Sequence, residues 1–165
     1  MKLSKRSIYI IVVIVLTIVV DQVSKTIVRA QLEFEQYVDI FGKFFRLIWV
    51  DNPGAFLGMG SELNDTLRII LLILLPIIVL CFVLRYILKD KTLDKWSLFA
   101  FSSIIGGGIA NVYDRIVHQK VTDFFLIDLG GVFRTGVFNM ADLSVTTGMI
   151  ILVFASFMKK KKQVS

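Results

Sequence analysis

The chain has 165 residues, of which 56% are apolar and only 19% charged, with a mean hydropathy of +0.76 and a formal net charge of +6. Soluble proteins average roughly 45–50% apolar with about a quarter charged, and a soluble fold of this size still exposes about 30% of its unfolded surface, so water alone cannot solvate this composition. One cysteine, Cys81, and one histidine, His118, exclude an internal disulfide and leave little for a structural zinc site, while two prolines and the lack of a Ser/Gly-rich stretch argue for one unit.

The apolar residues fall in four blocks, 8–20, 69–84, 96–112 and 143–158. Each is somewhat short of the ~20 residues that cross a ~30 Å hydrocarbon core and must run on into a polar flank. Four membrane spans are therefore expected at about 8–28, 67–88, 95–116 and 138–158 of a single membrane domain covering 1–165. Lys2, Lys5 and Arg6 precede the first block as in a signal peptide, but the block ends on Asp21-Gln22 without a small-x-small cleavage site, and a retained helix is expected. Residues 29–66 then form an outer segment in which the aromatic and β-branched runs 34–40 and 44–50, around Gly42, read as a hairpin lying on the membrane surface. The charged stretch 85–95 reads as a short connector, and 117–137 as a second outer segment.

With both termini inside, Lys2, Lys5, Arg6, Arg85, Lys89, Lys91, Lys95 and Lys159 to Lys162 place 11 of the 19 basic residues on the cytoplasmic side, against Asp90 and Asp94. The net charge divides into +9 inside and −3 outside, the asymmetry that sets the orientation of membrane proteins. Anionic lipid headgroups account for the basic balance, and no nucleic-acid partner is expected.

Ionisable groups at membrane depth cost about 2.5–3.5 kcal/mol each on insertion scales, so they mark paired or functional positions. Asp21 and Lys25, four apart on one helical face, can form an ion pair. Gly106 and Ala110 allow a second helix to approach closely. Beyond them Asn111, Asp114 and Arg115 share a face, either as an Asp-Arg salt bridge ending the helix or as a polar cluster that grips backbone carbonyls. Asp123 and Asp142 flank the second outer segment. Asp142 can serve merely as the N-cap of the fourth helix and Asp123 as a solvated loop residue. Brought together in a low-dielectric site, however, two carboxyls share one proton, so that one deprotonates water while the other protonates a carbonyl oxygen. Such chemistry needs neither metal nor cofactor. His-Glu-x-x-His is missing, Cys81 and His118 lie at different depths, and Gly106 to Gly108 suit helix packing better than a phosphate loop. The rival to a protease is a non-enzymatic membrane protein in which Asp21, Asp114 and Asp142 form an ion path. Pathway carboxylates would line a cavity across the bilayer, whereas a dyad would converge at one face.

Five short patterns occur in order: Asp21-x-x-x-Lys25, Asn52-x-Gly54-Ala55-Phe56, Asn111-x-x-Asp114-Arg115, Val121-x-Asp123-Phe124 and Phe138-Asn139-x-Ala141-Asp142. Together, on a four-span layout, they make the chain resemble lipoprotein signal peptidase, or signal peptidase II, an integral-membrane aspartic protease family of bacteria. The resemblance implies an all-α integral membrane protein of four transmembrane helices with a small outer-side β-cradle, and a helix or flap in the second outer segment that covers the site. It implies an aspartic endopeptidase that removes the signal peptide from diacylglyceryl-modified prolipoproteins, cleaving just before the lipidated cysteine at the outer face of the cytoplasmic membrane. Asp123 and Asp142 match the catalytic dyad. Asn52, Asn111, Arg115 and Asn139 match substrate-holding positions, and Asp21, Lys25 and Asp114 match structural polar residues. The expected partners are the lipidated substrate and membrane lipids, with the enzyme itself a monomer. This chain departs from the pattern in a shortened Asn52 motif and in Ala110, Gln119 and Gly136, where glycine, glycine and proline are usual, which bears on loop geometry more than on the dyad.

Overall fold

The structure is a computed structural model that describes residues 3–55, 58–130 and 133–164, with side chains as far as 158. Lys2 and Phe56, named above, lie outside the described residues, as do the side chains of Lys159 to Lys162. Among the described residues, four long helices and one small sheet make up the fold: α1 (Lys5–Gln31), β1 (Tyr37–Phe41), β2 (Phe45–Asn52), α2 (Asp65–Lys89), α3 (Lys95–His118), β3 (Val121–Ile127) and α4 (Met140–Val164).

Local chemistry fixes the helix ends. Ser4, Asn64 and Asp94 each accept a hydrogen bond from the backbone N–H three residues on, satisfying a donor that the first turn leaves free. Within α2 the turn Ile70–Leu74 widens to a π-helix just before Pro76, where the missing proline N–H and its ring would otherwise break the α ladder. α3 ends on Gln119, whose φ of 61° is left-handed. That conformation costs a side-chain-bearing residue roughly 1–2 kcal/mol and explains why glycine suits this position.

Among the described residues three helices are long and apolar enough to cross a membrane, Lys5–Gln31, Asp65–Lys89 and Met140–Met158. Large apolar side chains such as Ile11, Val15, Val19, Phe82, Ile150 and Phe154 stand exposed along them, a surface that lipid rather than water would cover. α3, although 24 residues long, falls outside that set and is built differently. It is the central helix, touching α1, α2 and α4, and it buries Ser97, Ser102, Ser103, Gly106 and Ala110. Small residues line the faces where neighbouring helices approach, while Trp96, Tyr113, Ile116 and Val117 stand exposed elsewhere on it.

The run Gly106-Gly107-Gly108 turns this to use on three sides. A Cβ on Gly106 would lie 2.6 Å from Thr17 Cβ of α1, one on Gly107 2.5 Å from the Ala141 carbonyl oxygen of α4, and one on Gly108 2.7 Å from a Leu80 methyl of α2. Consecutive residues differ by about 100° around a helix axis, so three glycines in a row admit three partners. The expected close approach at Gly106 is therefore present, directed at α1.

The hairpin expected around Gly42 forms as β1 and β2, and β3 adds to it in a three-stranded antiparallel sheet of order β1-β2-β3. In the second outer segment, where the resemblance implies a helix or flap, residues 121–127 form the strand β3. Alternation fails as a signal there because Val121 to Phe124 are all buried, on both faces. Phe138, just before α4, pairs with the other edge of β3, exchanging backbone hydrogen bonds of 2.8 and 3.0 Å with Phe125. The two ends of the second outer segment are thereby drawn side by side.

Two substitutions separate the packing terms. Gly106→Ala meets backbone and Cβ atoms that cannot rotate away and should cost about 1–3 kcal/mol, whereas Gly108→Ala meets only the tip of Leu80 and should be neutral or stabilising. Thermal unfolding in detergent checks both. Gln119→Gly should raise stability by about 1 kcal/mol in the same assay.

Candidate active site

At the end of the bundle that carries the sheet, α1, α3 and α4 are joined through one buried ammonium. Lys25 Nζ lies 2.7 Å from Asp21 Oδ2 and 2.6 Å from Asp114 Oδ2, with all three side chains at 0–1% exposure. Gln22 Nε2 donates to Asp114 Oδ1 at 2.9 Å and to Asp21 Oδ2 at 3.2 Å. Asp21 Oδ1 accepts the backbone N–H of Ala141 at 2.8 Å, which ties α1 to the first turn of α4. The expected Asp21-Lys25 pair is present. Asp114 turns to Lys25 as well, so the reading of Asp114 as salt-bridge partner of Arg115 is replaced by a pairing across helices.

Arg115 instead donates to the Gly54 carbonyl at 2.6 Å and to the Asn111 carbonyl at 3.2 Å. It thus grips backbone carbonyl oxygens, one in the chain that leaves β2 and one a turn back on α3.

Asn52 ends β2 opposite Val121 of β3, so its side chain shares a face with Asp123 two residues along. Its Nδ2 donates to Asp123 Oδ2 at 2.8 Å and to the Ala55 carbonyl at 3.0 Å, while its Oδ1 accepts from Gly54 N at 2.9 Å. The sheet therefore positions Asp123, and the turn after β2 positions Asn52.

Asp142 stands in the first turn of α4 but is not its N-cap. Asn139 caps the helix: its Oδ1 accepts from Asp142 N at 2.9 Å, and Asp142 Oδ2 accepts from Asn139 N at 3.3 Å, a reciprocal capping box. The same Asn139 donates from Nδ2 to Asp123 Oδ1 at 2.6 Å. Asn111 donates from Nδ2 to Asp142 Oδ1 at 2.8 Å, and its Oδ1 accepts from Asn139 Nδ2 at 3.2 Å. A pair of carboxamides thus bridges the two aspartates, and Asn52, Asn111, Asn139, Asp123 and Asp142 converge in one cluster at one end of the bundle.

Burial is the main influence on Asp123, which is 2% exposed, and it pushes the carboxyl up to about 7. The Asn52 donor pulls the other way, the negative charge of Asp142 adds to the rise, and the Asn139 donor opposes it. Beside Asp123 a cavity of about 300 Å³ is lined by Asn52, Pro53, Gly58, Ser61 and Gly136. A second, of about 460 Å³, lies between α2 and α3 with Arg68 and Arg115 on it and Ile69, Ile73 and Ile116 forming its apolar wall. Among the described residues no group of three or more His, Cys, Asp or Glu is gathered that would hold a metal ion.

Two contributors escaped the sequence reading. Gln22 completes the Lys25 cluster, and its position beside Asp21 one turn before Lys25 was a usable signal. The backbone of Phe138, which carries Asn139 and Asp142 to Asp123, gave none, since a single bridge leaves no periodicity.

Comparison with known proteins gives the family of the chain. The family profile described as Signal peptidase (SPase) II matches residues 13–158. The lipoprotein signal peptidase of Borrelia duttonii (strain Ly) is 35% identical over 147 residues, covering 86% of this chain and 85% of its own. That of Borreliella burgdorferi (strain ZS7) is 36% identical over 165 residues, covering 96% and 95%. That of Treponema pallidum (strain Nichols) is 33% identical over 155 residues, covering 91% and 83%. A bacterial membrane enzyme solved by the in meso method at 2.3 Å resolution superposes with a TM-score of 0.82 at 24% identity, over 93% of this chain and 90% of that one, and so shares the fold. With the profile spanning most of its length and relatives above 30% identity along nearly all of it, the chain belongs to the signal peptidase II family of bacterial membrane aspartic-type proteases.

Proposed function

We propose that Asp123 and Asp142 form the catalytic dyad of an endopeptidase that cuts diacylglyceryl-modified prolipoproteins just before the lipidated cysteine. The observation that carries this reading is the carboxamide bridge: Asn139 donates to Asp123 at 2.6 Å while its backbone and Asn111 donate to Asp142. Carboxylates placed on a common scaffold, one of them held near neutrality by burial, are suited to sharing a proton.

In the proposed reaction Asp142 takes a proton from water as the oxygen attacks the scissile carbonyl carbon, and Asp123 gives its proton to the carbonyl oxygen. The tetrahedral intermediate collapses with loss of the C–N bond. The departing cysteine nitrogen takes the proton from Asp142, and Asp123 regains its own from the hydroxyl of the intermediate. Asn52 and Arg115, now engaged with the Ala55 and Gly54 carbonyls, are placed to receive substrate carbonyls in their stead, and Asn111 and Asn139 hold the reacting groups in register. The 300 Å³ cavity beside Asp123 accommodates the peptide. The apolar wall of the larger cavity suits acyl chains.

The same reading makes residues 1–165 one membrane domain in which α3 is a fourth span, both termini are cytoplasmic, and the sheet and dyad face outward from the cytoplasmic membrane. A monomer suffices. Convergence of the carboxylates at one end of the bundle, with Asp21 and Asp114 both paired to Lys25, favours this over an ion path.

Asp123→Asn and Asp142→Asn should each lower turnover of a lipidated precursor by roughly 10³-fold or more while the purified variants remain folded. Near-normal cleavage by either variant rejects the dyad. The pH dependence follows from Asp123: below about 7 it holds the proton that the carbonyl oxygen needs, and above it the proton is lost. The rate kcat/KM should therefore fall about tenfold per unit on the alkaline side. That limb should move to higher pH in Asn52→Leu, because the amide donor that favours the ionised form is gone.

A further inference from the structure

Lys25 does more than its charge balance requires. Its ammonium lies against three oxygens, in ion pairs with Asp21 Oδ2 at 2.7 Å and Asp114 Oδ2 at 2.6 Å and in a hydrogen bond to Asn111 Oδ1 at 3.0 Å. Two carboxylates already exceed its charge, so the bond to Asn111 calls for another explanation. An ammonium offers no acceptor, and Asn111 must therefore turn its carbonyl oxygen toward Lys25 and its NH₂ away. The NH₂ group of Asn139 imposes the same choice, since it also donates to Asn111 Oδ1, and its own orientation is set by the Asp142 N–H on Asn139 Oδ1. What Asn111 then presents to Asp142 Oδ1, at 2.8 Å, is an N–H. A flipped Asn111 would set donor against donor at Lys25 and acceptor against acceptor at Asp142.

We infer that Lys25 is a positioning residue for the reaction, fixing the amide of Asn111 so that Asp142 Oδ1 is held by an N–H and Asp142 Oδ2 is the oxygen that receives the proton of the attacking water. Oδ2 is the less firmly held of the two, its bond from Asn139 N being 3.3 Å long. Lys25 makes no hydrogen bond or ion pair with either aspartate of the dyad; its charge favours the ionised form of Asp123 from a distance, and its contact with the site is through Asn111. The inference rests on the assignment of Asp123 and Asp142 as the dyad, and goes beyond it by giving the buried ionic cluster a part in turnover.

Removing Lys25 alone would leave two buried carboxylates unpaired, which costs roughly 3–5 kcal/mol. The test therefore uses the neutral cluster Asp21→Asn, Lys25→Met, Asp114→Asn, together with the single change Asp114→Asn, all purified in detergent and assayed on a lipidated precursor. The neutral cluster should lose about 10²-fold in kcat, with KM within about twofold and a thermal midpoint near that of the unaltered protein. Placed in an Asn111→Ala background it should cost no further kcat, because its effect passes through Asn111. Asp114→Asn alone, which keeps Lys25 on Asn111, should retain kcat. Asn111→Asp supplies an independent test that leaves Lys25 fully paired: it keeps the acceptor for the ammonium but faces Asp142 with an acceptor, and it should reproduce the loss in kcat at unchanged KM.

A folded neutral cluster with normal kcat, a loss that adds undiminished to Asn111→Ala, or normal kcat in Asn111→Asp would each overturn the role of Lys25. If Asp123→Asn and Asp142→Asn keep their activity, the dyad itself is wrong. If both are inactive and the Lys25 and Asn111 variants turn over normally, only the positioning role is lost.

Discussion

A lysine ammonium with no exposed surface, clasped by two equally buried carboxylates, is the interaction on which the rest of this molecule depends. Lys25 and Asp21 sit on α1, Asp114 on α3, and the second oxygen of Asp21 accepts the Ala141 N–H at the start of α4. Three helices are thus pinned together beside the cluster of Asp123, Asp142 and the asparagines. Losing the lysine would leave two uncompensated charges in a low-dielectric interior, far costlier than losing an exposed ion pair. The packing beneath this clamp is governed by steric fit: three consecutive glycines on α3 bring α1, α4 and α2 to distances at which a Cβ would collide.

Above the clamp, amides carry the organisation onward. Carboxamides offer a donor and an acceptor on one rigid plane, so a chain of them transmits orientation from one group to the next. Lys25 orients Asn111, the cap of α4 orients Asn139, and the turn after β2 orients Asn52. Each delivers an N–H to a carboxylate oxygen of Asp123 or Asp142. The small sheet contributes the remaining constraint. Because β3 is flanked by β2 on one edge and by Phe138 on the other, Asp123 and Asn139 arrive together although a loop separates them in the chain.

Much of this could be read from the residues. The four apolar blocks anticipate α1 to α4 closely, the aromatic runs around Gly42 anticipate β1 and β2, and the i, i+4 spacing of Asp21 and Lys25 anticipates their pairing. β3 escaped because it is buried on both faces and so lacks alternation. The partner of Asp114 stayed open between Arg115 and none on its own helix, because spacing along one helix says nothing about which side chain a second helix brings up. The N-cap of α4 falls on Asn139 rather than Asp142, three residues before it, although either type caps a helix well.

By itself the amino-acid sequence determined what solvates this chain, how many long helices it makes, and which polar residues stand out against an apolar background. These follow from local composition and from the cost of placing charge in hydrocarbon, which each segment experiences alone. Only the tertiary structure decided that Asp114 belongs to Lys25, that Arg115 grips a carbonyl, and that Asp123 and Asp142 share a scaffold of asparagines. Those outcomes depend on the close approach of α1, α3 and α4 and on one backbone bridge at Phe138, contacts between residues far apart in the chain that no local pattern encodes.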